Sequence, residues 1–364
     1  MKVVIIGAGV AGLCIGWRLR QEGAEVTILE RSQPAQAATW ASAGMIAIAG
    51  EGVESNATEA DFARESSTLW PAFATELEAC TDLEVDYRRN GALLVARDQT
   101  EMAALAARSA IDILSLGEAR AKEPMLSPDI VGAAWAPGEA QVDTRLLGHA
   151  LARAFLRSGG TLSVNEPAVR FEVREDEALA LHTPFARYEA DAFILAAGAW
   201  SAGLGGLPPE ALPPVRPVKG EMIAIAPPPG ARLPEPVIWG NGVYLVPRRD
   251  RLLIGATEAD IGFDTSVTDT AAEWLSSRAI ALMPALATWD VVERWAGLRP
   301  GSPDNLPILG ASSVRRLFIA TGQYRNGILF APSIAQNMSR LVLGHAAGIP
   351  AFDPRRFQEG RRQA

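Results

Sequence analysis

The sequence predicts an α/β protein of two domains, one of them a Rossmann-like nucleotide-binding domain assembled from separated stretches of chain. Three observations predict it. At 364 residues the chain exceeds what one hydrophobic core usually organises. The segment "KVVIIGAGVAGLCIGWRLRQEGAEVTILER" (2–31) reads as strand, glycine turn, helix and strand. Strands followed by glycines return in the middle, at "YEADAFILAAGAWSAGL" (188–204), and near the end, at "RRLFIATGQYRNGILFAPSIAQNMSRLVLG" (315–344). The first domain is therefore discontinuous, with segments of the second inserted between its pieces.

Taken in order, Val3–Ile6 is a short β-branched run suited to a buried parallel strand. Gly7, Gly9 and Gly12 then form GxGxxG. The first glycine permits a tight turn, the second lets the backbone approach a pyrophosphate, and the third lets helix and strand pack closely. The helix, running to about Gln21, offers unpaired N–H groups and a partial positive charge to phosphates. "AEVTILE" is the second strand and ends at Glu30, eighteen residues after Gly12, placed to accept hydrogen bonds from ribose hydroxyls. Strand, glycines, helix, strand and acid in this order predict an ADP-containing cofactor, with FAD and NAD both open at this point. The next stretch, "QPAQAATWASAGMIAIAG" (33–50), has small residues without a helical or strand period. A nicotinamide enzyme would present another βα unit here, whereas a small-residue loop lets the backbone lie against a flat ring system. A plain flexible connector is the alternative. Helical patterns follow at 58–79 and 99–109, with strand-like "DYRRNGALLVAR" between them. "GEMIAIA" (220–226) is a strand between two stiff connectors, "LPPEALPPVRPV" and "APPPGARLPEP". The expected division is 1–50, 141–216 and 290–364 for the nucleotide domain, and 51–140 with 217–289 for the substrate domain.

Composition narrows the function. A net charge of −8 without a dense basic cluster argues against nucleic acid, and the tail "PRRFQEGRR" (354–362) reads as a solvated end. Cys14 and Cys80 have no CxxC spacing and the three histidines are scattered, so no metal site is expected. No Ser–His or Cys–His arrangement suggests a protein nucleophile. Scarce cysteine fits a reducing compartment. The apolar run after Lys2 is broken by glycines and leads into "GWRLRQEG", not a cleavage site, and no stretch is long enough to span a bilayer. The expected location is the cytoplasm.

"ERWAGLRPGSPDNLPILG" (293–310) sets Arg299 among apolar and turn-forming residues. Arginine is rarely buried unless paired. Its partner is either a carboxylate of the protein, such as Glu293 or Asp304, or a ligand. Pro300-Gly301 reads as the turn that presents it. In "GVYLVPRR", Tyr244 alternates with Val243 and Leu245, so its ring faces the other side of a strand.

Together the glycine fingerprint, "ASAGMIA", "VDTRLLGHAL", "AAGAWS", "GVYLVPRRDRLLIGATEADIGFD", "RWAGLRPGSPDNLPILG" and "GQYRNGILFAP" resemble the glycine oxidase branch of the D-amino acid oxidase family of flavoproteins, from about residue 2 to 345. The resemblance implies non-covalent FAD, a second α+β domain with a mixed β-sheet that binds substrate, a homo-oligomer, and oxidative deamination of small amino acids or amines. In that branch some members supply the glycine imine for the thiazole of thiamine. Residue by residue it puts Gly7, Gly9, Val10, Ala11 and Gly12 on the pyrophosphate, and Glu30 and Arg31 on the adenosine ribose. Ala38, Thr39, Ala43, Gly44 and Met45 fall along the flavin and Ala168 beside the adenine, with Gly198 joining the cofactor contacts. Gly322, Gln323, Tyr324, Arg325, Asn326, Gly327, Ile328 and Leu329 match a flavin-contacting loop. Arg299 matches the substrate-carboxylate arginine, Tyr244 a tyrosine that assists it, and Arg325 lies near the substrate. Gln323 departs from the histidine common there, and Glu258 sits where members vary. The implied chemistry is hydride transfer from the Cα of an unprotonated amine to flavin N5, then imine hydrolysis to keto acid and ammonia, with oxygen giving hydrogen peroxide. The alternatives are a dehydrogenase serving a quinone or carrier, an oxidase of N-methyl amines such as sarcosine, and a redox-silent nucleotide-binding subunit.

Overall fold

A computed structural model describes residues 1–52 and 56–357. Its first sheet joins strands far apart in sequence. In spatial order these are Ile308–Ala311, Leu317–Thr321, Ala192–Leu195, Lys2–Ile6, Glu25–Leu29 and Thr161–Ser163. Lys2–Ile6 runs parallel to both its neighbours, and only Ile308–Ala311 is antiparallel. Period-two alternation decides what covers each face. Val3 and Ile5 pack under the helices Val10–Gln21, Thr144–Arg157 and Ala331–Val342, whereas Val4 and Ile6 meet Phe171, Leu181 and Phe193 beneath a small three-stranded sheet.

The second sheet has eight strands, ordered Asp290–Gly301, Arg216–Ala226, Leu252–Gly255, Val243–Pro247, Val237–Gly240, Ala92–Ala96, Gly132–Ala136 and Asp112–Ser115. It is mixed, because Val237–Gly240 runs parallel to Ala92–Ala96 while every other neighbouring pair is antiparallel.

The elements divide between the two units differently from the expectation in two places. Asp290–Gly301 lies in the eight-stranded sheet, its Trp295 opposite Met222 and its Arg299 opposite Val218, so 290–301 stands on the substrate-domain side of the boundary expected at 290. The helix Ala57–Thr81, expected in the substrate domain, packs into the first core instead. Its Phe62, Trp70, Phe73 and Leu77 form an apolar stripe that Trp17 and Phe330 complete. The proline-rich "VRPV" is no connector, because Arg216–Val218 already pairs in the sheet. Nor do Pro300 and Gly301 form a turn. They continue an edge strand, where a missing N–H is tolerated.

In the expected solvated tail, Arg355 and Arg356 are ion-paired to Asp353 and Asp304, and residues 358–362 lie outside the described residues. No helix among the described residues is long and apolar enough to cross a membrane.

Candidate functional site

One cleft starts at the C-terminal ends of Lys2–Ile6 and Ala192–Leu195, where open α/β sheets bind ligands, and reaches the near face of the eight-stranded sheet. At its first end lie Gly7, Gly9, Val10, Ala11, Glu30 and Arg31. Gly7 has φ +103°, and a side chain there would strike the backbone of Ala196. Gly12 does not line the cleft; a Cβ on it would collide with the Gly7 carbonyl, so it serves the packing of helix on strand. The Val10 N–H donates to Thr39 Oγ1 at 2.9 Å, which ties the helix N-terminus to the small-residue loop. Glu30 accepts from the N–H groups of Ala8 (2.8 Å) and Ser32 (3.1 Å). Arg31 lies 3.5 Å over the Trp200 ring, with Ala168 lining the cleft nearby, and burial lowers its pKa against the pull of Glu30.

The middle is walled by Ala38, Thr39, Ala43, Gly44, Met45 and Gly198. Arg248, 4% exposed, fastens this loop: one Nη donates to the carbonyls of Ala43 and Val142, the other to Gln141 Oε1. Burial brings Arg248 down to about 10, with Asp143 opposing. Trp295 Nε1 donates to the Ala41 carbonyl at 2.9 Å, so the tryptophan does more than fill the core.

At the far end Gln323, Tyr324, Arg325, Gly327 and Ile328 meet Arg299 and Tyr244. Gly322, Asn326 and Leu329 lie outside the cleft wall. Gly322 makes the turn, Asn326 Nδ2 donates to Glu59, and the Leu329 carbonyl accepts from Trp70 Nε1. Gln323 is 7% exposed and its Nε2 has no hydrogen-bond partner among the described residues, a donor that wants an acceptor from a ligand.

Among the described residues Arg299 is ion-paired to no acid: its Nη1 lies 3.4 Å from Lys219 O and 3.3 Å from Thr257 O. Its two candidate protein partners are taken: Glu293 pairs with Arg145 at 2.7 Å and Asp304 with Arg356 at 2.8 Å. Tyr244 shares its side of the sheet with Met222 and Trp295, while Val243 and Leu245 pack opposite. Its hydroxyl meets Arg299 and lies 3.7 Å from Met222 Sδ, and burial raises its pKa.

Arg325 is ion-paired, its Nε 2.7 Å from Glu51 Oε2. Burial pushes the Glu51 carboxyl up, and Arg325 and Arg299 oppose this. Glu51 escaped the sequence reading, although it is the first acid after the small-residue run; Trp200 escaped it too. Burial, together with a hydrogen bond to Glu258, pushes the Tyr324 phenol up to about 12. Beyond Arg299, Tyr244 and Arg325 the cleft continues into a second cavity walled by Trp239, Asn241, Glu258, Thr268 and Trp274. Among the described residues no group of three or more His, Cys, Asp or Glu could hold a metal.

Comparison with known proteins places these features in a group. The family model described as "FAD dependent oxidoreductase" (DAO) matches residues 2–341. A glycine oxidase of Pseudomonas aeruginosa is 35% identical over 97% of both chains. A bifunctional protein ThiO/ThiG of Synechocystis sp. is also 35% identical, over 98% of this chain and 54% of its own, so this chain spans about half the length of that relative. Among solved structures, a glycine oxidase from Geobacillus kaustophilus superposes with a TM-score of 0.90 at 32% identity, covering 97% of this chain and 98% of the other.

Proposed function

The chain belongs to the DAO family of FAD-dependent oxidoreductases, and from that premise we propose that it oxidatively deaminates a small amino acid or amine of the glycine, sarcosine or D-amino acid type. The observation that carries the substrate reading is Arg299, a guanidinium at the junction of two cavities with no acid of the protein paired to it among the described residues.

The site fits FAD on its own features. A buried donor on Gln323 lacks an acceptor, the middle wall is of small residues, and an acid stands at the sheet end. Gly7, Gly9, Val10 and Ala11 would hold the pyrophosphate, and Glu30 the ribose. Arg31, Trp200 and Ala168 would flank the adenine, while Ala43–Met45 and the loop from Gln323 to Ile328 would hold the ring system. When bound, that group supplies a two-electron acceptor for a Cα–H bond.

The protein's own part is positioning. The planar fork of Arg299 takes both oxygens of a carboxylate, and the Tyr244 hydroxyl adds a hydrogen bond. The Tyr244 ring and Met222 supply apolar wall to the cleft that Arg299 also lines. Arg299 and Arg325 face two carboxylates, Glu51 and Glu258, so the pull of the protein on the substrate's carboxylate falls to Arg299, the guanidinium not ion-paired to an acid among the described residues. Oxygen as terminal acceptor, giving hydrogen peroxide, belongs to the same proposal, as do a homo-oligomer, a cytoplasmic location and supply of glycine imine for thiamine thiazole.

Anaerobic mixing of the purified yellow protein with glycine, sarcosine and D-alanine tests this. Bleaching of the flavin by at least one of them is expected, and peroxide on admitting air separates an oxidase from a carrier-linked dehydrogenase. A flavin that no amine bleaches overturns the reading.

A further inference from the structure

Two guanidiniums face the shared chamber, and the structure treats them differently. Arg299 meets two carbonyls and the Tyr244 hydroxyl and is ion-paired to no acid among the described residues, whereas Arg325 is held by Glu51, whose side chain is 8% exposed. Glu51 is brought there by a loop gripped on both kinds of backbone group. Glu139, 5% exposed, accepts the Gly50 N–H at 2.9 Å, and Arg108 donates to the Ala49 carbonyl. The Trp239 indole packs so tightly on Gly50 that any side chain there would collide with it. Three contacts therefore settle where the next residue's carboxylate lies. The other nearby acid, Glu258, is engaged by the Tyr324 hydroxyl.

We propose that Glu51 is a specificity determinant: by neutralising Arg325 it leaves Arg299, of the two guanidiniums at the junction of the cavities, as the one not ion-paired to an acid among the described residues, and confines the chamber to substrates with one carboxylate. The inference rests on the reading of Arg299 as the carboxylate site. With the Glu51–Arg325 pair intact, a second carboxylate on the substrate meets Glu51 and finds no cation to spare. Like charges set face to face are a strong device for rejecting a ligand. With the Glu51 charge removed, the Arg325 fork becomes free for a second bidentate contact.

The test compares glycine with iminodiacetate and D-aspartate, which carry a second carboxylate on the nitrogen or on the side chain. The holoenzyme is measured as the unaltered protein, as Glu51→Gln, and as Glu51→Gln with Arg325→Gln. In Glu51→Gln, kcat/KM for the better dicarboxylate relative to glycine rises about tenfold or more, the scale of one charge pair. In the double variant the gain disappears. A ratio that stays put in Glu51→Gln overturns the proposal, and so does a gain that persists without the Arg325 charge. Should Glu51→Gln bind flavin but fail to turn over, perturbation of its flavin absorbance by malonate and by acetate gives the same comparison. Malonate must then tighten relative to acetate, and equal behaviour of the two overturns the idea. Failure of the underlying reading looks different, because the unaltered protein then shows no glycine-dependent bleaching at all.

Discussion

At the residue scale the site is organised by which charges have partners. Arg299 could be singled out from sequence because an arginine in an apolar setting demands a counter-charge, and the structure removes Glu293 and Asp304 from contention by pairing each elsewhere. Tyr244 was legible for a different reason, since strand alternation sets its ring apart from Val243 and Leu245. Glu51, Glu139 and Trp200 were not legible, because their importance lies in contacts between segments far apart in the chain. Glu139 gives a prediction that belongs to this scale. Burial raises its carboxyl to about 7 from an ordinary 4.5, so the folded protein keeps that proton at pH values where the unfolded chain has lost it. The associated stability is whole below about 4.5 and is lost as pH rises through 7. Glu139→Gln does not titrate. Its melting temperature relative to the unaltered protein should therefore climb between pH 4.5 and 7 and level off above, and a difference that is flat across this window would show that Glu139 titrates normally.

At the element scale, the local units with strong periodicity were readable: the strand–glycine–helix–strand opening, the helix Ala57–Thr81 and the helix Ala331–Val342. The edge strand Asp290–Gly301 was harder. Pro300-Gly301 looks like a turn to any local rule, and only its place at the rim of a sheet makes a proline acceptable there. Equally hidden was the fastening of the small-residue loop by Arg248, which reaches Ala43 and Val142 across more than a hundred positions of sequence. Arg248→Met strands those buried acceptors, at about 1–3 kcal/mol each. Because Ala43–Met45 walls the cleft, FAD affinity should fall about tenfold or more. Flavin fluorescence released on dilution reads this directly, and unchanged retention of flavin would mean that the loop holds its shape without the arginine.

At the scale of the whole molecule, two sheets contribute residues to one cleft. The six-stranded sheet gathers strands from the beginning, middle and end of the chain and supplies the glycine turn and the acid. The eight-stranded sheet supplies Arg299 and Tyr244, and Trp295 reaches from it to the Ala41 carbonyl. The proposed activity therefore depends on one guanidinium holding a substrate's carboxylate in register with a cofactor bound by the other sheet. The most direct test is anaerobic flavin reduction by Arg299→Ala, titrated with glycine and separately with ethylamine, which has no carboxylate. Loss of one partner of a buried charge pair costs about 2–5 kcal/mol, so half-saturation for glycine should rise about thirtyfold or more. Whatever weak reduction ethylamine gives should be unchanged. Glycine half-saturation equal to that of the unaltered protein would contradict the account at its centre.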